Sequence, residues 1–166
     1  EQLLGALATS DPALTVSVCD VADPAAVARL FDAVGKTLGG LDALVNNASI
    51  LGPSPQPKLE VYPLEVLEQV YRVNVFAPLA LFQLALPIMK PDARVLNITS
   101  DAGIEAYEGW GGYGSSKAAL EQLSKVLALE HPNLQIYSVD PGDMNTQMHQ
   151  EAFPGEDISD RPPPEE

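Results

Sequence analysis

A tyrosine and a lysine lie four residues apart in the run Tyr113-Gly-Ser-Ser-Lys117, and Ser100 lies thirteen residues before the tyrosine. On a helix, positions i and i+4 share a face, so the phenol and the ammonium point the same way. A nearby cation favours phenolate over phenol, so this spacing predicts that Lys117 lowers the pKa of Tyr113. Such a tyrosine can exchange a proton with an alcohol or carbonyl oxygen, which the Ser100 hydroxyl can hold.

A Tyr/Lys pair on a helix usually has no function, so the elements around it decide what it means. Short apolar, β-branched runs predict strands, and apolar residues at helical spacing predict helices between them. The predicted strands are Leu14–Cys19, Leu41–Val45, Ala93–Thr99 and Leu134–Val139. Three helices are predicted. The first begins at Asp23-Pro24 and ends at Gly39-Gly40, and the other two span about Leu64–Met89 and Tyr113–Glu130.

Strands that alternate with helices predict parallel pairing through right-handed crossovers. The fold class expected is therefore α/β, a Rossmann-like parallel sheet of about four strands with helices on both faces. Ligands of such sheets bind beyond the carboxyl ends of the strands. Asp20, Asn46, Ser100 and Pro141 all follow predicted strands, so we expect them at one edge of the sheet.

Three motifs together resemble the classical short-chain dehydrogenase/reductase family, in the right order and at the right spacing. They are Leu44-Val-Asn-Asn-Ala-Ser49, the Tyr113–Lys117 run with Ser100 upstream, and Val139-Asp-Pro-Gly-Asp-Met-Asn-Thr146. The resemblance implies an oxidoreductase that interconverts an alcohol and a carbonyl by hydride transfer, with NAD or NADP as cofactor. The expected partner is a small-molecule alcohol or carbonyl substrate.

The resemblance implies a catalytic set of Asn74, Ser100, Tyr113 and Lys117. Tyr113 would be the general acid or base, Ser100 would hold the substrate oxygen, and Lys117 would also bind the nicotinamide ribose. The Asn74 carbonyl would hold a water in a proton relay. The sequence supports this role, because Pro78 has no N–H and repels the carbonyl four residues before it, which predicts a free carbonyl and a kink.

The cofactor-binding residues implied by the resemblance follow three of the predicted strands or belong to the Tyr/Lys pair. They are Asp20, Val21, Asn46, Asn47, Ala48, Tyr113, Lys117, Pro141, Gly142, Met144 and Thr146. Ser49 stands where the family has glycine, which predicts a slight distortion where the backbone approaches the cofactor. Tyr107, Trp110 and Met148 are predicted to line the substrate pocket, and no metal site is expected.

Composition and charge limit the classes of partner that the protein can bind. The net charge of −14 argues against a nucleic-acid partner, because binding phosphates needs clustered Lys and Arg. The sequence contains no stretch of eighteen uninterrupted apolar residues, so it predicts no membrane span. We expect a cytoplasmic protein without membrane partners, and the lone Cys19 cannot form an internal disulfide.

Family members open with a strand and a Thr-Gly-x-x-x-Gly-x-Gly turn, whose N–H groups face the cofactor pyrophosphate. This turn is absent from the sequence, and so are the last helix and strand of the family pattern. We therefore interpret residues 1–152 as a partial Rossmann-like domain that binds a dinucleotide poorly by itself. Residues 153–166 form an acidic, proline-rich tail whose composition favours partial disorder.

Two other functions stay open. One is a non-catalytic remnant that serves as an association module, since the family forms homodimers or homotetramers through the helices matching residues 64–89 and 113–130. The other is an epimerase or dehydratase of the related extended group, which also uses a Tyr-x-x-x-Lys motif. The Asn-Asn-Ala-Ser pattern and the helical Asn74 favour the classical group.

Overall fold

The structure, a computed structural model, describes residues 14–164. Its strands are β1 (Leu41–Asn46), β2 (Met89–Ile98) and β3 (Gln135–Val139). Its α-helices are α1 (Pro24–Leu38), α2 (Leu64–Tyr71), α3 (Ala77–Ala85), α4 (Gly111–Glu130) and α5 (Gln147–Ala152). A π-helical turn at Arg72–Phe76 joins α2 to α3, and 3-10 turns lie at Leu59–Val61, Leu86–Ile88 and Asp101–Gly103. All the predicted helices are present, whereas α5 was not predicted.

The three strands form one parallel sheet in the order β1-β2-β3, which confirms the parallel α/β class. Leu44, Val95 and Ile136 are aligned across the three strands. This row packs against Phe82 of α3 and Leu127 of α4, in the main apolar cluster. The helices α3 and α4 therefore cover one face of the sheet and hold it by apolar burial.

The other face of the sheet is uncovered in the described part of the chain. The adjacent row contains Val45, which is 55% exposed, and Tyr137, which is 48% exposed. The prediction of helices on both faces is therefore not met within residues 14–164. Both crossovers step across the sheet in the same direction, and right-handed crossovers of that kind place their helices on the same face.

The strand predicted at Leu14–Cys19 is wrong, since residues 14–20 are irregular in the structure. A strand exists only where a neighbour supplies its hydrogen bonds, and no described strand lies beside this segment. Val18, at the centre of the apolar run, is accordingly exposed. The sheet of residues 14–164 therefore has three strands rather than about four.

The ends of α1 confirm the predicted signals. The Asp23 carboxylate accepts a hydrogen bond from the Ala25 N–H, and Pro24 occupies the first helical position. Gly39 ends the helix with a φ of 64°, in the left-handed region that favours glycine. These local rules place the turn that leads into β1.

The sequence predicts a kink and a free Asn74 carbonyl before Pro78, and the structure has a π-helical turn there, Arg72–Phe76. The Ala77 N–H bonds the Arg72 carbonyl, five residues back instead of four. Pro78 cannot donate to the Asn74 carbonyl and its ring repels that oxygen, so the helix widens before the proline. The widened turn carries Asn74, which bears on the site described below.

The helical run Leu64–Ile88 is long and apolar enough, by length and composition alone, to cross a membrane. Its buried residues include Val70, Asn74 and Phe82. Phe82 packs against β2, and the Asn74 amide bonds a side chain of α4. These contacts are those of a core helix within a folded domain.

The end of the described chain folds back onto the domain. Phe153 stacks on Trp110 with ring centroids 5.7 Å apart, and Ile158 is buried. The Asn145 N–H bonds the Pro162 carbonyl at 2.8 Å. Composition favours disorder in residues 153–166, whereas residues 153–164 are tied to the domain by these contacts.

Candidate active site

The Tyr113 and Lys117 side chains share the buried face of α4, as their spacing predicts. Tyr113 is 7% exposed and Lys117 only 2%. The Lys117 Nζ lies 5.4 Å from the centroid of the Tyr113 ring. The same Nζ donates a hydrogen bond to the Ile98 carbonyl at 2.8 Å, so the lysine bridges α4 and the end of β2.

Two glycines allow the turn after β2 to lie against α4. A Cβ on Gly114 would come within 2.5 Å of the Ala102 carbonyl oxygen, and one on Gly103 within 3.0 Å of the Ala118 nitrogen. Any other residue would push the two elements apart. This close approach brings Ser100, at the start of that turn, towards the Tyr113 phenol.

Ser100 also has a structural role. Its Oγ donates to the Asp101 carboxylate at 3.0 Å and accepts from the Ala102 N–H at 3.2 Å, which caps the 3-10 turn. The Ser100 hydroxyl also acts to lower the pKa of Tyr113, although burial outweighs this effect. Ser100 therefore holds its turn and lies at the site at once.

The net pKa of Tyr113 is raised, not lowered. Burial is the largest cause, and the carboxylates of Asp140 and Asp101 also raise it. Hydrogen bonding from the Ser49 and Ser100 hydroxyls opposes the shift only in part. The prediction that Lys117 lowers this pKa is wrong, because removing the phenol from water outweighs the cation. At neutral pH Tyr113 is therefore a protonated acid.

Lys117 is shifted in the other direction. Burial lowers the pKa of the Lys117 ammonium from 10.5 to about 8. A buried ammonium loses hydration that a single carbonyl does not replace, so its charged form is penalised. Near neutral pH this site thus combines a protonated tyrosine with a lysine that releases its proton unusually easily.

This shift predicts that the protein becomes more stable in mild alkali. The folded state binds fewer protons than the unfolded state between the two lysine pKa values, about 8 and 10.5, so stability rises with pH in that window. Between about pH 7 and about pH 9.5 the gain should be about 2 kcal/mol. Urea unfolding of the unsubstituted protein and of Lys117→Met at both pH values measures it. The gain should vanish in the variant, and an equal gain in both proteins would contradict the assignment.

Asn74 is 1% exposed, and all its side-chain hydrogen bonds are to protein groups. Its Oδ1 accepts from the Ile50 N–H at 2.9 Å and from the Ser49 Oγ at 3.1 Å. Its Nδ2 donates to the Ile50 carbonyl at 2.9 Å and to the Ser116 Oγ at 3.0 Å. The amide therefore fixes the loop after β1 against α4, a role that the sequence did not reveal.

Asn46 ends β1 in a buried polar network. Its Nδ2 donates to the Asn97 Oδ1 at 2.7 Å, and the Asn97 Nδ2 donates to the Ser124 Oγ at 2.8 Å. The Asn46 Oδ1 is buried without a partner. Because a buried carbonyl oxygen normally has a donor, this atom fits a ligand group that brings an N–H or O–H to the end of β1.

The other predicted cofactor residues lie at the carboxyl ends of the strands or before α1. Asp20 uses its carboxylate to accept from the Ala22 N–H, so it holds its own turn. Thr146 caps α5 by accepting from the His149 N–H. The residues Asn47, Ala48, Pro141 and Gly142 are exposed, while Val21 and Met144 are half-buried. Of these residues, Asp20 and Thr146 have structural roles of their own in the described chain.

The predicted pocket residues divide into two groups. Trp110 and Met148 pack with Leu51 against the buried Tyr113 ring, and the Trp110 and Tyr113 centroids lie 6.0 Å apart. Tyr107 is exposed, and its hydroxyl bonds the Asp101 carboxylate at 2.9 Å. Two of the three thus pack around Tyr113, whereas Tyr107 lies at the outer edge.

The helix α5 covers this apolar shell. Met148 and Ala152 face Tyr113, and the Ser54 Oγ donates to the Glu151 carbonyl at 2.6 Å. An open depression lies against other residues of α5, lined by Ser54, Gln147, Gln150, Glu151, Pro154, Gly155, Glu156 and Asp157. It does not include Tyr113, and none of its residues is a tyrosine or a lysine. We therefore take Tyr113, not this depression, as the candidate site.

Comparison with known proteins bears on this arrangement. A family model described as short chain dehydrogenase matches residues 1–157. The chain belongs to the short-chain dehydrogenase family. This is the family that the motifs around Asn46, Ser100 and Tyr113 resemble.

Individual relatives agree with this assignment. The chain is 39% identical over 140 residues to a rhamnolipids biosynthesis 3-oxoacyl-[acyl-carrier-protein] reductase from Pseudomonas aeruginosa, covering 78% of the chain and 53% of the relative. It is 33% identical over 141 residues to an (S)-benzoin-forming benzil reductase from Saccharomyces cerevisiae, covering 81% and 54%. The chain therefore spans about half the length of these curated relatives.

Solved structures show the same fold. A short-chain dehydrogenase from Pseudomonas syringae matches with a TM-score of 0.90 and 30% identity, over 99% of this chain and 69% of that one. An NADPH-bound carbonyl reductase from chicken fatty liver matches with a TM-score of 0.82 and 30% identity, over 89% and 65%. The three-stranded sheet is thus part of a larger Rossmann-like fold in these proteins.

Proposed function

We propose that the protein, in its full natural length, is an NAD(P)-dependent oxidoreductase that interconverts an alcohol and a carbonyl compound. The observation that carries the proposal is the buried Tyr113, with the buried Lys117 beside its ring, on the face of α4 that lies against the turn begun by Ser100. Burying a tyrosine and a lysine together lowers the stability of the fold. Buried titratable groups with shifted pKa values are concentrated at functional sites, which favours a functional role for this pair. The reductase relatives support the same chemistry for this chain.

In the proposed reaction, the Ser100 hydroxyl holds the substrate oxygen while Tyr113 transfers the proton. In reduction the phenol donates its proton to the carbonyl oxygen, and in oxidation the phenolate accepts it back. The raised pKa keeps the phenol protonated near neutral pH, which favours its role as a proton donor. A nicotinamide cofactor, when bound, supplies or accepts the hydride.

The described residues fit the nicotinamide end of such a cofactor better than its phosphate end. Asn46 offers an unpartnered Oδ1 at the end of β1, close to where Lys117 and Tyr113 lie at the end of β2. The sequence contains no glycine-rich phosphate turn, so we expect the 166-residue chain alone to bind the dinucleotide weakly. The charges that choose NAD or NADP belong to the same region of the family pattern, so both remain within the proposal.

The surroundings of Tyr113 favour an uncharged, apolar carbonyl substrate. Trp110, Met148 and Leu51 supply an aromatic and apolar shell around the phenol. Asp101 and Asp140 place negative charge near it, which disfavours a carboxylate or phosphate beside the reacting carbon. An aryl or alkyl ketone, or the matching alcohol, fits this environment better than an acidic metabolite.

A second candidate function, an association module, is favoured by one observation. Apolar side chains remain exposed on the long helices, namely Phe76, Leu84, Val126 and Leu129. Exposed apolar residues on helices suit contact with another copy of the chain, as a homodimer or homotetramer. Such contact is compatible with catalysis, so only an activity measurement separates the two functions.

The proposal also includes a cytoplasmic location and the absence of membrane and nucleic-acid partners.

Hydride transfer is the direct test. The full-length protein should oxidise NADH or NADPH in the presence of neutral aryl ketones, observed as loss of the reduced cofactor's absorbance. The same protein without ketone is the control, since it reports cofactor breakdown. No ketone-dependent loss with either cofactor, while the protein forms stable dimers, would favour the association module.

A further inference from the structure

We propose that Asp101 and Tyr107 form a clamp on Ser100, which holds the hydrogen of the serine hydroxyl away from the substrate until negative charge develops on the substrate oxygen. The inference rests on the proposed function, because that function assigns Ser100 the substrate oxygen. The clamp consists of two hydrogen bonds, from Ser100 and from Tyr107, to the two oxygens of the Asp101 carboxylate. Asp101 is thus a positioning residue that acts on the substrate through Ser100.

The Ser100 hydroxyl has little hydrogen-bonding capacity left for a substrate. A serine hydroxyl has one hydrogen and two lone pairs. The hydrogen is donated to the Asp101 Oδ1 at 3.0 Å, and one lone pair accepts from the Ala102 N–H at 3.2 Å. Within the described part of the chain, the second lone pair is what remains. A ketone oxygen also has only lone pairs, so it cannot form a hydrogen bond with Ser100 in this arrangement.

The Asp101 carboxylate is held in place from two sides. The backbone carbonyl of Asp101 accepts from the Ile104 N–H at 2.8 Å, which fixes the 3-10 turn. The Asp101 Oδ2 accepts from the Tyr107 hydroxyl at 2.9 Å. The Tyr107 ring in turn packs edge-on against Trp110, with ring centroids 6.2 Å apart. The carboxylate therefore keeps its orientation towards the serine hydroxyl, although Asp101 is exposed to solvent.

The clamp and the substrate compete for one hydrogen. A hydrogen bond to a carboxylate is stronger than a hydrogen bond to a neutral carbonyl, so the hydrogen stays with Asp101 while a ketone binds. As hydride reaches the carbonyl carbon, the carbonyl oxygen gains negative charge and becomes an acceptor comparable to the carboxylate. The Ser100 hydroxyl then donates to the substrate oxygen, and Tyr113 supplies the proton. The clamp therefore weakens ketone binding and lowers kcat/KM, because its hydrogen bond from Ser100 is broken in the transition state.

The charge of Asp101 also acts on Tyr113, and this effect is separable from the clamp. Burial raises the pKa of Tyr113 most, and the carboxylates of Asp140 and Asp101 raise it further. The Asp140 carboxylate accepts from the Gly142 N–H at 2.9 Å rather than from Ser100. Asp140→Asn therefore removes a comparable charge and leaves the clamp intact.

Reduction of acetophenone by the full-length protein provides the test. Asp101→Asn, which weakens both hydrogen bonds of the clamp, should raise kcat/KM about tenfold, with part of the gain as a lower KM. Tyr107→Phe, which keeps the charge of Asp101 and removes its anchor, should give a smaller gain of about threefold. Asp140→Asn is the matched control for charge. An equal gain in Asp140→Asn would assign the effect to charge alone and overturn the clamp.

Removal of the serine hydroxyl gives the sharpest comparison. In a Ser100→Ala protein, the further substitution Asp101→Asn should change kcat/KM by less than about twofold, because the clamp acts only through that hydroxyl. A tenfold gain that persists without the hydroxyl would contradict the proposal. So would a loss of ketone reduction in an Asp101→Asn protein whose urea unfolding matches that of the unsubstituted protein.

A further readout does not depend on turnover. The hydrogen bond to Asp101 is the largest cause that raises the pKa of Tyr107. Asp101→Asn should therefore lower the pH at which Tyr107 ionises, measured as tyrosinate absorbance by difference from Tyr107→Phe. An unmoved titration would show that Asp101 does not hold Tyr107, whether or not the protein is active. If no ketone is reduced, the proposed function fails and the catalytic effect of the clamp fails with it, whereas the titration still reports the contact itself.

Discussion

Tyr113→Phe is expected to lower kcat for ketone reduction by about a thousandfold in the full-length protein, with little change in cofactor affinity. The substitution removes the phenol oxygen that is proposed to transfer the proton and leaves the ring, which packs with Trp110 and Leu51. It removes a buried hydroxyl rather than creating a cavity, so the fold should persist. Steady-state kinetics and cofactor titration on the same preparation measure both quantities.

Tyr137→Phe is the matched control for this experiment. Tyr137 lies on the open face of β3, where its hydroxyl bonds only the nearby Gln135 side chain in the described structure. The same chemical change there should leave kcat within about twofold. If Tyr113→Phe kept most of its turnover, or lost no more than Tyr137→Phe, the assignment of Tyr113 as the proton donor would have to be abandoned.

The sequence was sufficient for the parts of the site set by local rules. Helical spacing placed Tyr113 and Lys117 on one face, and the strand before Ser100 placed the serine at the sheet edge. Pro78 predicted the irregular turn, because its missing N–H is a property of the residue itself. Each of these predictions depends on neighbours in sequence or on the direction of a strand.

The sequence was insufficient where several elements act together. The pKa of Tyr113 depends on how much water the surrounding elements remove, and helical spacing contains no information on that burial. Leu14–Cys19 has the composition of a strand, yet strand formation requires a partner strand beside it. The helix α5 was missed although Thr146 supplies an N-cap, because its six residues are too few to show a helical pattern in the sequence.

Ser49 and Asn74 illustrate the same limit within the site. The sequence identified Ser49 only as a departure from glycine and Asn74 only through its backbone carbonyl. Their side chains meet because the loop after β1 crosses the π-helical turn, a contact between residues 25 positions apart. An asparagine in a helix usually points to solvent or bonds its own backbone, so the sequence held no signal for this buried amide.

Asn74→Ala is accordingly expected to lower the free energy of unfolding by about 3 kcal/mol. The alanine would leave the Ile50 N–H and carbonyl buried without their side-chain partner, and it would release Ser49 and Ser116. Each unsatisfied buried group costs about 1–3 kcal/mol, and relaxation of the loop limits the sum. Urea unfolding of the protein, with the slope against denaturant checked for constancy, measures the loss.

Asn133→Ala provides the comparison, because Asn133 is exposed and contributes only its backbone carbonyl, to the Asp92 N–H. That variant should stay within about 0.5 kcal/mol of the unsubstituted protein. Asn74→Ala should also lower kcat, since the loop after β1 loses its attachment to α4, the helix that carries Tyr113. Equal stability of the two variants would show that Asn74 does not hold the loop. A destabilised but fully active Asn74→Ala protein would confine the amide to a structural role and leave Tyr113 independent of it.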